Sequence, residues 1–243
     1  MSLKILIQGA LGRMGAALKQ AAEEKGHEVV SEVDLGDCVE DHFSGVNLAI
    51  DFSHHSATAA LAECAGKHGV PVVIGTTGHS DDEKASIVKF LEPVPIVWAG
   101  NYSLGVNLLF YLTQKASEIL PNSYDVEVLE MHHRLKKDAP SGTAENLLER
   151  IKAATQRSEH DLVYGREGII GERTDREIGV HSLRGGDVVG DHTVIFSASG
   201  ERLELTHKAS DRMIFARGAI HAGEWVINQP AGLYHMQDVL GLK

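Results

Sequence analysis

The sequence predicts an α/β fold in two parts, a parallel-sheet domain and a second α+β domain with a mixed sheet. Three observations carry this reading. Before Asn101, short apolar runs alternate with helix-like stretches, the pattern of a parallel sheet with right-handed crossovers. After Asn101, strand-like runs alternate apolar with polar residues, as half-exposed strands of an antiparallel or mixed sheet do. The 25 glycines, against six prolines, cluster at apparent strand ends, where tight βα turns need them.

In order, Leu3 to Gln8 (LKILIQ) reads as a buried strand and Gly12 to Glu24 as a helix. Glu28 to Asp34 and Leu48 to Phe52 are strands, and the Ala-rich stretch from Ser56 to His68 is a helix. Val70 to Ile74 and Pro95 to Ala99 complete the first set, with a helix at Asp81 to Leu91 between them. Gly105 to Leu120 is a longer apolar helix, Tyr124 to His133 an alternating strand and Ser141 to Gln156 a helix. The polar, glycine-bearing stretch from Val163 to Arg176 reads as a long loop. Asp191 to Ala198 and Arg202 to Ala209 are strands, joined by a Ser199–Gly200 turn suited to a hairpin. Arg212 to Asn228 is a final helix followed by a short tail.

Composition excludes several classes. With 243 residues, 43% hydrophobic and 23% charged, the chain can bury a core and is not disordered. The net charge of −11 lacks the footprint of a nucleic-acid binder and disfavours an anionic membrane surface. No apolar run reaches transmembrane length, and the N-terminus reads as a strand rather than a signal peptide. Cys38 and Cys64 form no CxxC or metal spacing, so a reducing cytoplasm is the expected location.

Gly9-Ala10-Leu11-Gly12-Arg13-Met14-Gly15 lies between the first strand and the first helix. Glycines there let the backbone turn sharply and approach a pyrophosphate, and a helix N-terminus offers N–H groups to its oxygens. Asp34 ends the next strand, nineteen residues beyond Gly15, placed to accept hydrogen bonds from an adenosine ribose diol. The first half is therefore Rossmann-like and a dinucleotide is the expected cofactor. Asp34 repels a 2′-phosphate and no cation follows it, while Arg13 is the one positive charge nearby. That favours NADH over NADPH and leaves dual use open. Gly75-Thr76-Thr77-Gly78 and Ala99-Gly100-Asn101-Tyr102 follow two further strands, at the carboxyl ends where open α/β sheets bind ligands.

The densest chemistry runs from Glu130 to Thr143. His132, His133, Arg134, Lys136 and Lys137 fall within six residues of an acidic protein, which points to an anionic substrate. Ser141 is placed to cap the helix that follows, whose first N–H groups could hold a carboxylate. Adjacent histidines on a regular strand face opposite ways, so either the strand ends there or only one of the pair is catalytic. Arg134 and Lys137 read as solvated.

Other signals are weaker. Fourteen histidines invite a metal, but no HExxH, HxH or paired-Cys spacing accompanies them, and none is expected. Tyr111 and Lys115 match YxxxK, but the glycine motif is not the one that accompanies that pair in short-chain dehydrogenases, so Tyr111 reads as a packing residue. There is no GxSxG elbow and no P-loop.

Taken in order, GALGRMG, IDF at 50–52, GTTG at 75–78, NYSLGVN at 101–107, EMHHRLKKDAPSGTA at 130–144 and SDRMIFARGA at 210–219 resemble the dihydrodipicolinate reductase family across nearly the whole chain. The resemblance implies a dinucleotide-binding domain of residues 1–103 and 213–243, and a substrate-binding and oligomerisation domain of 104–212. It implies NAD(P)H-dependent reduction of 4-hydroxy-tetrahydrodipicolinate to tetrahydrodipicolinate in lysine and diaminopimelate synthesis, by a cytoplasmic homotetramer. By the same resemblance Gly9 to Met14 form the pyrophosphate loop and Asp34 is the ribose acid. Gly75, Thr76, Thr77 and Ala99 to Tyr102 lie on the nicotinamide side. His132 is proton donor or acceptor, Lys136 is proton donor, and His133, Ser141, Gly142 and Thr143 meet the substrate. Gly100 and Tyr102 stand where the family commonly has Ala and Phe.

Hydride addition to a conjugated imine leaves a carbanion-like centre that an acid must protonate, and two carboxylates need cations or helix N–H groups. Lys136 fits either duty. The competing readings are an L-aspartate dehydrogenase-like enzyme, expected to lack the HHxxK-x-DAPSGT run, and a catalytically silent dinucleotide sensor, which would not need Lys136.

Overall fold

The computed structural model describes residues 2–242. They form two compact units, one of residues up to 104 together with 212 onward, the other of 105–211.

The first unit is built on six parallel strands, β1 (Lys4–Gln8), β2 (Glu28–Val33), β3 (Leu48–Asp51), β4 (Val72–Ile74), β5 (Pro95–Trp98) and β11 (Gly232–Tyr234), in the order β11-β5-β4-β3-β1-β2. Ile5, Leu6, Ile7, Leu48, Ala49, Ile50, Val72, Val73 and Ile74 are wholly buried, as strands covered on both faces must be. Helices α1 (Arg13–Glu24) and α6 (Met213–Val226) contribute to the core on one face, and α2 (His55–His68) and α3 (Asp81–Phe90) to the core on the other. Each large aliphatic side chain removed from water contributes about 1.5–3 kcal/mol. Ser80 and Glu83 close a reciprocal capping box at the start of α3.

The sequence leaves everything after the last predicted helix as a tail, but residues 232–234 pair with β5 as the sixth strand, and α7 (Met236–Val239) sends the buried Met236 into the core. Three residues after a proline carry too little pattern to be seen as a strand.

In the second unit, α4 (Leu104–Ile119) and α5 (Gly142–Thr155) pack on a five-stranded mixed sheet in the order β10-β9-β6-β8-β7. The strands are β6 (Asp125–His132), β7 (Leu162–Tyr164), β8 (Ile178–Arg184), β9 (Gly190–Ala198) and β10 (Glu201–Ala209). β9 pairs antiparallel with β6 and β10, whereas β8 pairs parallel with β6 and β7. The hairpin turn falls at Ser199–Gly200, as the sequence suggests. The predicted loop from Val163 overlaps β7, and β8 goes unseen in the sequence altogether. The reason is Gly179, which interrupts the apolar pattern, and a side chain there would overlap the carboxylate of Glu127 on the neighbouring strand. Among the described residues no helix is long and apolar enough to cross a membrane.

Candidate active site

The first unit places the glycine loop between β1 and α1. Gly9 has φ +83°, a left-handed conformation that a side chain disfavours, and a Cβ there would lie 2.4 Å from the Phe52 carbonyl oxygen. A Cβ on Gly15 would fall 2.4 Å from the carbonyl oxygen of Ala10, so the helix can start close beneath the loop only without one. Ala10 is buried, while Leu11, Gly12 and Arg13 are exposed and Met14 half-buried. Gly12 is the N-cap of α1 and supplies no side-chain cap, and the first turn holds no acid. Main-chain N–H groups and Arg13 there suit an anion.

Asp34 closes the cradle from the end of β2. Its Oδ2 accepts from the Leu11 N–H and its Oδ1 from its neighbour Leu35, each at 2.8 Å. These two main-chain bonds hold its carboxyl below the usual carboxylate range. Each oxygen keeps a second lone pair for a ribose hydroxyl. The glycine cradle, the uncapped helix start and the oriented carboxylate fit a dinucleotide.

The other two loops divide their residues. Thr77 and Gly100 are exposed, Gly75, Ala99 and Asn101 half-buried. Thr76 is turned inward and its Oγ1 accepts from the Ser53 N–H at 2.9 Å. Tyr102 is buried, its hydroxyl shared between the carbonyls of Ile74 at 2.8 Å and Val97 at 2.9 Å and its ring tilted against Phe52. Thr76 and Tyr102 therefore brace the ends of β4 and β5, and their side chains are not presented to a ligand. Beneath them Asp51, wholly buried, accepts from Thr58 Oγ1 at 2.6 Å and from Ser53 Oγ at 2.5 Å. The sequence gives no hint of this bracing.

The second unit carries the histidine pair at the end of β6. The strand stops at His132 and His133 already lies outside it, which resolves the conflict over adjacent histidines. His132 Nδ1 lies 2.6 Å from Oε2 of the wholly buried Glu130, which Arg184 on β8 grips with both terminal nitrogens at 2.8 Å. His192 on β9, paired in register with Glu130, packs edge-on to His132 with ring centroids 5.1 Å apart. Its Nε2 lies 2.9 Å from Oγ of Ser141, which caps α5 by accepting from the Ala144 N–H. Burial pushes the His192 imidazole down to about 4, and lowers that of His132 despite the carboxylate beside it.

After the strand the chain turns, with the Lys136 N–H donating to the His133 carbonyl. Lys136 Nζ pairs with Asp138 at 2.9 Å, and the Asp138 carbonyl accepts from Arg184 at 2.7 Å. Gly142 at the start of α5 is exposed, with open space where a Cβ would project, and Thr143 is half-buried. His133 Nδ1 is buried without a hydrogen-bond partner among the described residues. Arg134 and Lys137 are exposed. Glu130, Arg184 and His192 are the members of this cluster to which the sequence assigns no role. Elsewhere Lys115 pairs with Glu118 at 2.9 Å and lies over the Tyr111 ring, an arrangement internal to α4. Among the described residues no group of three or more His, Cys, Asp or Glu side chains could hold a metal ion.

Comparison with known proteins brings the two units under one heading. The sequence pattern described as dihydrodipicolinate reductase, N-terminus, matches residues 3–102, and that described as dihydrodipicolinate reductase, C-terminus, matches 105–240. The chain belongs to the dihydrodipicolinate reductase family. A 4-hydroxy-tetrahydrodipicolinate reductase of Akkermansia muciniphila is 52% identical over 242 residues, covering 99% of this chain and 98% of that one. One of Syntrophus aciditrophicus is 44% identical over 270 residues, covering 99% of each. Among solved structures, a dipicolinate-bound dihydrodipicolinate reductase from Paenisporosarcina sp. TG-14 superposes with a TM-score of 0.77 at 22% identity, over 97% of this chain and 98% of that one. That likeness shows the shared fold.

Proposed function

We propose that this chain reduces 4-hydroxy-tetrahydrodipicolinate to tetrahydrodipicolinate with NAD(P)H, in lysine and diaminopimelate synthesis. The observation that carries the reading is the joint presence of the Asp34-closed glycine cradle in one unit and the His132–Lys136 cluster beside an open helix start in the other. Family membership supplies the substrate.

A bound nicotinamide supplies the hydride. Arg13 and the N–H groups of the α1 start hold the pyrophosphate, and Asp34 accepts from the adenosine ribose. With Leu35, Gly36 and Asp37 after it, the site prefers NADH and tolerates NADPH less well. Gly75, Thr77, Ala99, Gly100 and Asn101 flank the nicotinamide side; Thr76 and Tyr102 contribute there through main chain. His133, Thr143 and the main chain of Ser141 and Gly142 at the start of α5 hold substrate carboxylates. Lys136 supplies the proton that completes the reduction and His132 assists its transfer.

The dinucleotide-binding part is residues 1–103 with 213–243, and the substrate and assembly part is 104–212. Among the described residues, α4 and α5 leave the second face of the mixed sheet without a helical cover, and it carries Leu129, Met131 and Ile195 half-buried and Leu183 exposed. That supports association of this unit into a cytoplasmic homotetramer, which light scattering on the purified protein reads directly.

The test is NADH and NADPH oxidation by the purified protein, with the unstable substrate generated in the cuvette from pyruvate and aspartate semialdehyde by the synthase that condenses them. Consumption requiring both precursors, faster with NADH, is expected. Binding of NADH without consumption would overturn the reading.

A further inference from the structure

His132 sits in a frame that fixes which of its nitrogens is reactive. Glu130 is wholly buried on the same strand. Burial alone would push its carboxyl up, but hydrogen bonds from Arg184, His132 and Ser182 more than offset this and keep it ionised. An ionised carboxylate only accepts hydrogen bonds, so the 2.6 Å contact places a proton on Nδ1 of His132. The nitrogen that gains or loses a proton is then Nε2. The ring is seated from its other edge by Gly190 of β9, where a Cβ would fall 2.9 Å from Nε2. The strand register joins the parts, since His132 pairs with Arg184 and Glu130 with Ser182 across β6 and β8.

We infer that Glu130, clamped by Arg184, is a positioning residue that fixes the tautomer and ring orientation of His132. The inference rests on the functional reading above and assigns within it a duty that the motif spacing does not show. The charged and titratable groups around His132 are Glu130 on its own strand, Arg184 from β8, His192 from β9, and Lys136 with its partner Asp138 from the turn that follows. Glu130 raises the affinity of His132 for a proton, while burial, Lys136 and Arg184 lower it. The two members of the clamp therefore act on the ring with opposite signs.

Paired variants test this. In Glu130→Gln the carboxylate is gone, so the His132 titration moves to lower pH. Turnover falls about 10–100-fold, as when the group orienting a functional histidine is lost. In Arg184→Met the Glu130–His132 pair keeps a proton between its members, and the titration moves to higher pH. Two readouts are taken on the full-length protein: the pH profile of kcat, and the NMR titration of the histidine Cε1–H signals, with His132 assigned by its loss in His132→Gln. Opposite shifts in both readouts, with NADH affinity unchanged, are expected. Shifts in the same direction, or none, would overturn the inference. If the wild-type protein oxidises neither dinucleotide, the functional reading fails, and the NMR titration still decides whether Glu130 governs His132.

Discussion

The two units build their polar sites in different ways. In the first, the anion cradle is made of main chain, from glycines that admit close approach and an uncapped helix start, and beside it the Asp34 carboxylate is oriented by two main-chain N–H groups. In the second, the cluster is made of side chains from different elements of the unit, with Glu130 and Arg184 lying 54 residues apart and Ser141 and His192 lying 51 apart. A main-chain cradle suits a cofactor recognised by its phosphates and ribose, whereas a side-chain network can tune where a proton sits. The difference predicts that dinucleotide binding and the proton handling proposed for the second unit are separable in this chain.

The largest expected effect tests that separation. Lys136→Ala should lower kcat about 10²–10⁴-fold, the range for loss of a general acid, and leave the NADH dissociation constant within about twofold in a fluorescence titration. A second prediction probes the side-chain network through pH. The folded protein holds His192 near 4, against about 6.5 when unfolded. The unfolded chain therefore takes up the proton first as pH falls. The stability contributed by neutral His192 is complete above about pH 6.5 and is lost on descent to about 4, up to about 3 kcal/mol. Urea unfolding of the wild type should show this loss, and His192→Gln should lose less over the same window.

Smaller effects belong to the main-chain site. Asp34→Asn should weaken NADH binding about 10–100-fold, the value of hydrogen bonds to a charged acceptor, while narrowing the preference for NADH over NADPH. Isothermal titration with both dinucleotides checks it. Tyr102→Phe removes only the hydroxyl that links the carbonyls of Ile74 and Val97. It should lower stability by about 1 kcal/mol in chemical denaturation, with dinucleotide affinity unchanged.

The same contrast explains what the sequence could reveal. The main-chain site is local: strand, glycine loop, helix and the acid at the next strand end follow one another, so Gly9 to Met14 and Asp34 are readable from spacing. His132, Lys136 and the Ser141 cap are readable because they fall in one short run. Arg184 sits at the end of a strand disguised by Gly179, and His192 on a strand whose register with β6 no local pattern specifies. Glu130 lies in plain view beside the histidines, but a buried glutamate is recognisable only once its partners on β8 are known. The bracing duties of Asp51, Thr76 and Tyr102 are hidden in the same way, because bracing is a property of packed loops.

The most direct test of the division between the units is a double-mutant cycle on Asp34→Asn and Lys136→Ala. Sites that act independently have effects that multiply. The double variant should show a kcat/KM for NADH lowered by the product of the two single losses, with Lys136→Ala binding NADH as the wild type does. A double variant no worse than the poorer single variant, or a Lys136→Ala protein that fails to bind NADH, would contradict the account.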